Sequence, residues 1–198
     1  MAMIWMMMKW LMVAWTQPPW GYANSWDFIR QSSCHGLWQD IPGVNKGEKS
    51  PDTVADFLRY DPAVDFSLCQ WASDTVLGWL VAKLHAPWDQ VPFSALVLSR
   101  LCGLLLCFFG LIHLKPRIGY RIFLMAVFVM VFSDFRVLLY LNTLYLEFTS
   151  LGAVFCMTAF LFLLWVQPSI QREPGFFWLG AFFLFFLGFS KEQYLPLA

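Results

Sequence analysis

The chain has 198 residues, of which 59% are hydrophobic and only 13% are charged. Soluble domains carry about 25% charged residues, so this composition argues against an ordinary soluble protein and favours one embedded in lipid. The net charge is zero, which gives no general attraction to nucleic acid, and 21 Phe and 11 Trp suit lipid contact and interfacial aromatic belts.

Five apolar segments follow one another along the chain, and each is predicted to form a membrane helix. A hydrocarbon core of about 30 Å needs roughly 20 helical residues, so some of these segments are short for a full span. Their predicted bounds are 1–16, 93–114, 122–133, 150–166 and 176–189. The predicted fold is an all-α integral membrane protein with about five transmembrane helices and a long extracytoplasmic loop after the first.

The first segment is predicted to be a retained anchor. It has no basic region before its apolar run, and its single charge, Lys9, lies in mid-run. No small-residue cleavage site follows it, which makes a cleaved signal peptide the weaker interpretation. Lys9 is expected to reach the membrane interface or to face the other helices. Because the segment is short, an upstream start codon is also considered.

The distribution of basic residues predicts the orientation, because cytoplasmic connections are enriched in Lys and Arg. The linker 115–121 has three basic residues and no acid, so it is predicted to be cytoplasmic. The loop 17–92 is richer in Asp and Glu than in Lys and Arg and is predicted to lie outside. Alternation then places the N-terminus inside, and the segment after 133 and the tail from Ser190 outside. The predicted location is the cell (inner) membrane.

The long loop 17–92 is expected to contain short interfacial helices. Residues 73–85 are apolar enough to lie along the membrane surface but are too short and too closely flanked by charge for a confident span. Cys34 and Cys69 lie in this loop and could form a disulfide if it faces an oxidising compartment. No cysteine or histidine cluster has the spacing of a metal site.

A polar stripe is predicted on an interfacial helix over 135–148. At 100° per residue, Arg136, Tyr140, Thr143 and Glu147 fall within a narrow arc on an otherwise apolar surface. Two interpretations stay open. The stripe could face water at the interface, or it could line a polar cavity between helices.

Three carboxylates on the predicted outer side could carry chemistry. Asp27 closely follows the first helix, where partial desolvation would raise its pKa and its basicity. Its alternatives are a simple pair with Arg30 or a helix N-cap. Asp134 could equally be a helix terminator in the headgroup region, and Glu147 could simply reach the interface.

Three stretches together resemble a known group of membrane enzymes. They are 22–31, 134–147 and 190–194. They resemble the N-terminal half of bacterial glycosyltransferases of the GT-C type, which use polyprenyl-phosphate-linked sugars. The resemblance implies that Asp27 is the catalytic carboxylate, with Asp134 or Glu147 as a second acidic site. It also implies phosphate or substrate contacts from Arg30, Arg136, Tyr140, Asn142 and Lys191.

The implied activity is an inverting sugar transfer on the extracytoplasmic side. A carboxylate would activate the acceptor hydroxyl, and basic groups would stabilise the charge on the leaving phosphate. GT-C proteins have more helices, so the chain is expected to correspond to the first part of one. No cofactor is expected, a divalent metal is left open, and the expected partners are membrane lipids and a polyprenyl-phosphate sugar.

Two other functions are considered. The small size and lipid-facing aromatics also fit a non-catalytic subunit of a larger membrane complex. A transporter ranks last, because only Lys9 and Arg100 are charged residues within the apolar segments and no inverted repeat is visible.

Overall fold

Helices dominate the described part of the protein, as the sequence predicts. The computed structural model describes residues 1–16, 34–39, 57–61, 69, 72–85, 88, 90–142 and 147–190. The helices are α1 (Ala2–Trp15), α2 (Ser73–His85), α3 (Phe93–His113), α4 (Ile118–Phe132), α5 (Phe135–Leu139), α6 (Glu147–Val166) and α7 (Phe176–Ser190). Two 3-10 turns cover Tyr140–Asn142 and Pro168–Arg172, and three short strands are β1 (Leu37–Gln39), β2 (Phe57–Tyr60) and β3 (Gln90–Pro92).

Fewer helices are long enough to cross a membrane than the sequence predicts. Helix α3 and residues Phe148–Val166 of α6 are long and apolar enough, and α4 with Phe135–Asn142 makes a third span if this pair, bent by 61°, counts as one. Helices α1 and α7 have 14 and 15 residues, about 21–23 Å at 1.5 Å per residue. That is short of a hydrocarbon core of about 30 Å. The described residues therefore hold two or three candidate spans rather than about five.

The predicted helix over 135–148 is not one continuous α-helix. Helix α5 ends at Leu139, a 3-10 turn follows to Asn142, and α6 begins at Glu147. Helix α5 starts where it does because Asp134 caps it, with the carboxylate accepting a hydrogen bond of 2.7 Å from the Arg136 backbone N–H. Arg136 and Glu147 therefore belong to different helices, and residues 143–146 lie outside the described part.

Helix α1 is anchored against the end of α4 by polar contacts as well as by its buried face. The indole N–H of Trp10 donates to the Phe132 carbonyl at 2.7 Å. The Lys9 ammonium donates to the Ser133 carbonyl at 3.0 Å and lies 3.7 Å from the centroid of the Trp5 ring. A cation at the C-terminal carbonyls of a helix is favourable. Lys9 therefore faces the bundle, which is one of the two positions the sequence allows.

Aromatic side chains fill the space between α6 and α7. The Phe160 ring packs between Phe176 and Phe183, with centroid distances of 5.0 and 5.8 Å. Gly180 makes room for it, because a Cβ there would lie only 2.9 Å from the tip of the Phe160 ring. The two helices approach closely at this glycine, as small residues allow in membrane helix packing.

The three strands form an antiparallel sheet that the sequence analysis did not predict. Leu37 pairs with Tyr60, and Phe57 pairs with Pro92, so β2 lies in the middle. Leu58 is fully buried while its neighbours on β2 are exposed, as expected of a strand with one covered face. Strand β3 continues directly into α3, so the sheet fixes part of the long loop to the start of that helix.

Candidate functional site: a buried ion pair beside an apolar groove

Arg100 on α3 forms the most buried ion pair in the described residues. Its side chain contacts Asp74 on α2 through both carboxylate oxygens. The Nε–H donates to Oδ1 at 2.8 Å, and Nη2 donates to Oδ2. Nη1 donates to the Leu141 carbonyl at 2.7 Å. Only 2% of Arg100 and 4% of Asp74 are exposed, so the planar guanidinium meets its carboxylate away from water.

This pair joins three elements: α2, α3 and the 3-10 turn that follows α5. A charge in an apolar bundle is costly unless it is paired and hydrogen-bonded, and here both conditions hold. Removing one member of such a pair typically costs about 3–5 kcal/mol, because the other charge stays buried alone. The pair is therefore a strict constraint on how these elements meet.

His35 lies close to the ion pair and is 3% exposed. Its Nδ1 accepts a hydrogen bond of 3.1 Å from the Leu37 backbone N–H. The ring lies against Gly78 of α2, where a Cβ would come within 2.4 Å of the ring carbon Cδ2. Burial, together with the positive charge of Arg100, lowers the pKa of His35 from 6.5 to about 3. The imidazole is therefore neutral at physiological pH, which suits its position near a guanidinium.

A disulfide joins Cys34, which precedes His35, to Cys69, which precedes α2. The two Cα atoms are 4.8 Å apart, and the cysteines are separated by 35 positions in sequence. These are the two cysteines that the sequence leaves as a candidate pair. The bond brings the start of α2 next to the segment that carries His35.

A groove of about 330 Å³ opens between α2, α3, α6 and α7. Its walls are mostly aliphatic and aromatic side chains, including Leu104 and Phe186. The polar residues that line it lie in the N-terminal halves of their helices: Ser73 on α2, Arg100 on α3 and Thr149 on α6. The groove is therefore apolar along its length and polar at one end.

One polar atom at that end has no partner within the described ranges. The Ser73 hydroxyl oxygen is buried and makes no hydrogen bond to any described residue. Two glycines, at positions 103 and 152, also line the groove, and a Cβ at Gly103 would meet nothing closer than Leu77 at 4.0 Å. The missing side chain leaves the groove open at Gly103, whereas at Gly152 a Cβ would lie 3.2 Å from the Leu104 side chain.

A second cavity, of about 380 Å³, lies between α4 and α6. Its lining is aromatic and aliphatic apart from Tyr120 and Thr158. The Tyr120 hydroxyl is already committed, since it donates to the Ala159 carbonyl at 2.5 Å. This cavity therefore offers no cluster of polar groups comparable to the end of the first groove.

The residues predicted to act chemically are only partly within the described structure. Asp27, Arg30 and Lys191 lie outside it. Asp134 is exposed and caps the N-terminus of α5, and Arg136 is exposed on the first turn of that helix. Neither of these two residues lines the groove.

The other three predicted residues lie nearer the groove. Tyr140 is half-buried in the 3-10 turn that follows α5. Asn142 is buried and donates to the Val13 carbonyl at 2.8 Å, while its side-chain oxygen has no described partner. Glu147 is the first residue of α6, and the two residues after it line the groove. Nothing is described of the Glu147 side chain itself.

Sequence reasoning missed the Asp74–Arg100 pair. Arg100 is visible as a charge within an apolar run, and a buried charge requires a partner. Its partner is 26 positions away on a helix predicted only to lie at the interface, so spacing alone does not identify Asp74.

The described residues contain no group of three or more His, Cys, Asp or Glu side chains that could hold a metal ion. No protein family, no curated protein and no solved structure matches the chain. The site is therefore interpreted from its own geometry and from the sequence motifs.

Proposed function

We propose that this protein is a membrane glycosyltransferase-like protein that transfers a sugar from a polyprenyl-phosphate donor on the extracytoplasmic side. The main support for this proposal is the groove between α2, α3, α6 and α7. A cleft between membrane helices that is apolar along its length and polar at one end suits a ligand with a hydrocarbon chain and a polar head.

The polar end of the groove offers the head of such a ligand a hydrogen-bond donor beside a paired guanidinium. Arg100 is committed to Asp74 and Leu141, so its charge is balanced by the carboxylate and its role is to hold the wall of this end in place. The hydroxyl of Ser73 is a hydrogen-bond donor without a described partner. In this proposal Arg30 and Lys191 supply positive charge near the phosphate, whereas Arg136, exposed and outside the groove, is not assigned to it.

Glu147 is favoured over Asp134 as the second acidic group. Helix α6 begins at Glu147 and lines the groove with its next two residues, whereas Asp134 is exposed and caps α5. Asp27 keeps the role of the base, on the sequence resemblance alone.

The proposed reaction is a single displacement with inversion. The Asp27 carboxylate takes the proton from the acceptor hydroxyl as its oxygen attacks the anomeric carbon of the sugar. The bond from that carbon to the phosphate oxygen breaks, and the polyprenyl phosphate leaves with the electron pair. Neighbouring positive groups stabilise the charge that develops on the leaving phosphate.

The proposed orientation has two supports. Structural disulfides persist in oxidising compartments, and the Cys34–Cys69 bond lies in the loop assigned to the outside. Lys115 and Arg117 are exposed in the linker between α3 and α4, which is assigned to the cytoplasm.

The test uses membranes that contain the full chain, with polyprenyl-phosphate hexoses radiolabelled in the sugar. Sugar transfer is expected to fall about 100-fold or more in Asp27→Asn, the scale of a lost general base. Asp134→Asn is the matched control and is expected to transfer at close to the wild-type rate, because Asp134 is an exposed cap. Both variants must elute from gel filtration in detergent as the wild type does. Absence of transfer by the wild type, or unchanged transfer by Asp27→Asn, would contradict the proposal.

A second candidate function is a non-catalytic subunit of a larger membrane complex. It is favoured by the exposed aromatic rings of α7, a helix too short for a full span. Phe177, Trp178 and Phe185 are each at least 65% exposed. Native electrophoresis after mild detergent extraction separates the two functions. A stable assembly with other chains and no sugar-lipid turnover supports the subunit.

A further inference from the structure

Helix α2 forms the wall of the groove at its polar end. Ser73, Val76 and Leu77 line the groove from this helix. Trp79 and Leu80 on the same helix are 44% and 47% exposed, so they point away from the protein. Helix α2 therefore separates the polar end of the groove from its surroundings.

Polar and close contacts hold the N-terminal half of α2 in this position. Asp74 binds Arg100 on α3 through both carboxylate oxygens. One turn later, Gly78 lies against the His35 ring so closely that no larger residue fits without a shift. All of these attachments fall within the first six residues of the helix.

The Cys34–Cys69 disulfide connects these attachments to a fixed part of the protein. Cys69 lies four positions before the first residue of α2, and Cys34 directly precedes His35. The strand that follows His35, β1, pairs with β2, and β2 pairs with β3, which continues into α3. The disulfide therefore ties the start of α2 to a sheet that is anchored on α3.

We propose that α2 is a lid over the polar end of the groove and that reduction of the Cys34–Cys69 disulfide releases its N-terminal half. A dithiol reductant supplies two electrons and two protons, so Cys34 and Cys69 become thiols and the reductant becomes a disulfide. This lid does not depend on sugar-transfer chemistry and would control access for any ligand of the groove.

The physical basis is the conformational entropy that the disulfide removes from the chain. A crosslink between positions 35 residues apart restricts the chain that leads into α2, and its loss restores that freedom. After reduction, only the noncovalent Asp74–Arg100 pair and the contact between Gly78 and the His35 ring hold the N-terminal half of α2. Local opening of this kind changes hydrogen exchange in one segment without unfolding the rest.

The first measurement is amide hydrogen exchange of the full chain in detergent, before and after reduction. All five cysteines lie in the described residues, and only Cys34 and Cys69 are paired, so a reductant has one target. Amides of α2 are expected to exchange about tenfold faster after reduction, as in sub-global opening. Amides of α6 serve as the internal control and are expected to be unchanged. The Cys34→Ala, Cys69→Ala double variant is expected to show the fast exchange without reductant and no further response to it.

The second measurement reports opening of the groove itself. Cys107 is buried and lines the groove, whereas Cys102 on the same helix is exposed. In the double variant, modification of Cys107 by a membrane-permeant maleimide is expected to rise about fivefold relative to Cys102, in line with local opening. Tandem mass spectrometry assigns the modified site within the peptide that holds both cysteines.

Two outcomes would contradict the proposal that α2 is a lid. Equal exchange of α2 with and without the disulfide, with an unchanged Cys107 to Cys102 ratio, would make α2 a fixed wall. An equal rise of exchange in α2 and α6 would make the disulfide a general stabiliser of the fold. Reduction of the folded wild type gives the same comparison if the double variant does not fold.

Discussion

Arg100 is the residue on which α2, α3 and the turn after α5 converge, and its charge also acts on a neighbour. His35 is buried beside it, and burial together with that charge holds the pKa of His35 at about 3. In the unfolded chain the pKa of the same imidazole would be near 6.5. Folding therefore excludes a proton that the unfolded chain binds at mildly acidic pH.

The first prediction is that His35 makes the protein less stable as the pH falls. Because the folded-state pKa is lowered, the stability that depends on a neutral His35 is fully present above about pH 6.5. The unfolding free energy then decreases progressively as the pH falls toward 3. Between pH 7.5 and 4.5 the wild type is expected to lose about 2–3 kcal/mol more unfolding free energy than His35→Gln, which cannot titrate. Denaturant unfolding in detergent at the two pH values measures this difference. The same loss in both proteins would remove His35 as the cause.

Single residues also show what the sequence could and could not predict. Asp134 was expected to end the preceding apolar helix or to act as an acidic site, and its role as the N-cap of α5 was not predicted. Asp74 was not identified, since its function depends on a long-range contact with Arg100 that no local pattern reveals. The roles of Asp27, Arg30 and Lys191 stay predictions.

At the scale of elements, small residues decide how closely the helices approach. Gly180 accommodates the Phe160 ring, whereas Gly119 on α4 has no atom near the position of a Cβ. The same substitution at the two glycines therefore separates packing from helix propensity.

The second prediction compares these two glycines. Gly180→Leu is expected to lower the unfolding free energy by about 2 kcal/mol or more, because a side chain there forces the buried Phe160 ring to move. Gly119→Leu is expected to leave stability unchanged or slightly raised, since leucine favours helix and meets no neighbour. Thermal unfolding followed by tryptophan fluorescence measures both. Equal effects at the two positions would contradict this account of the α6–α7 contact.

The elements themselves were predictable to different degrees. The apolar run predicted over 93–114 corresponds to α3, which ends one residue earlier, because an uninterrupted apolar run has clear limits. Helix α4 begins at Ile118, four positions before its predicted start, since Arg121 in its first turn was assigned to the linker. Strands β1, β2 and β3 have three or four residues each, too few for an alternating pattern to be recognised.

At the scale of the whole molecule, the orientation in the membrane decides whether the proposed site faces donor and acceptor. Helix α6 is one of the two helices among the described residues that qualify as a full span without a bend, and it separates Asp134 from the turn at Pro168–Arg172. Asp134 and Ser169 are both exposed, so each offers a reporter position.

The third prediction is that these positions lie on opposite sides of the membrane. In intact cells an impermeant maleimide is expected to modify Asp134→Cys and to leave Ser169→Cys unmodified, because Asp134 is assigned to the outside. Permeabilised cells, in which both should react, provide the control for accessibility. Modification of both variants in intact cells would overturn the orientation on which the proposed function depends.

The attachment of α1 to α4 has a consequence for biosynthesis. The side chains of Lys9 and Trp10 find their carbonyl partners 124 and 122 positions later, at the end of α4. During translation the Lys9 ammonium therefore lacks its carbonyl partner until Ser133 has left the ribosome. An unpaired ammonium is costly in hydrocarbon, so we expect the nascent first helix to stay at the headgroups or within the insertion machinery and to enter the bundle only after α4.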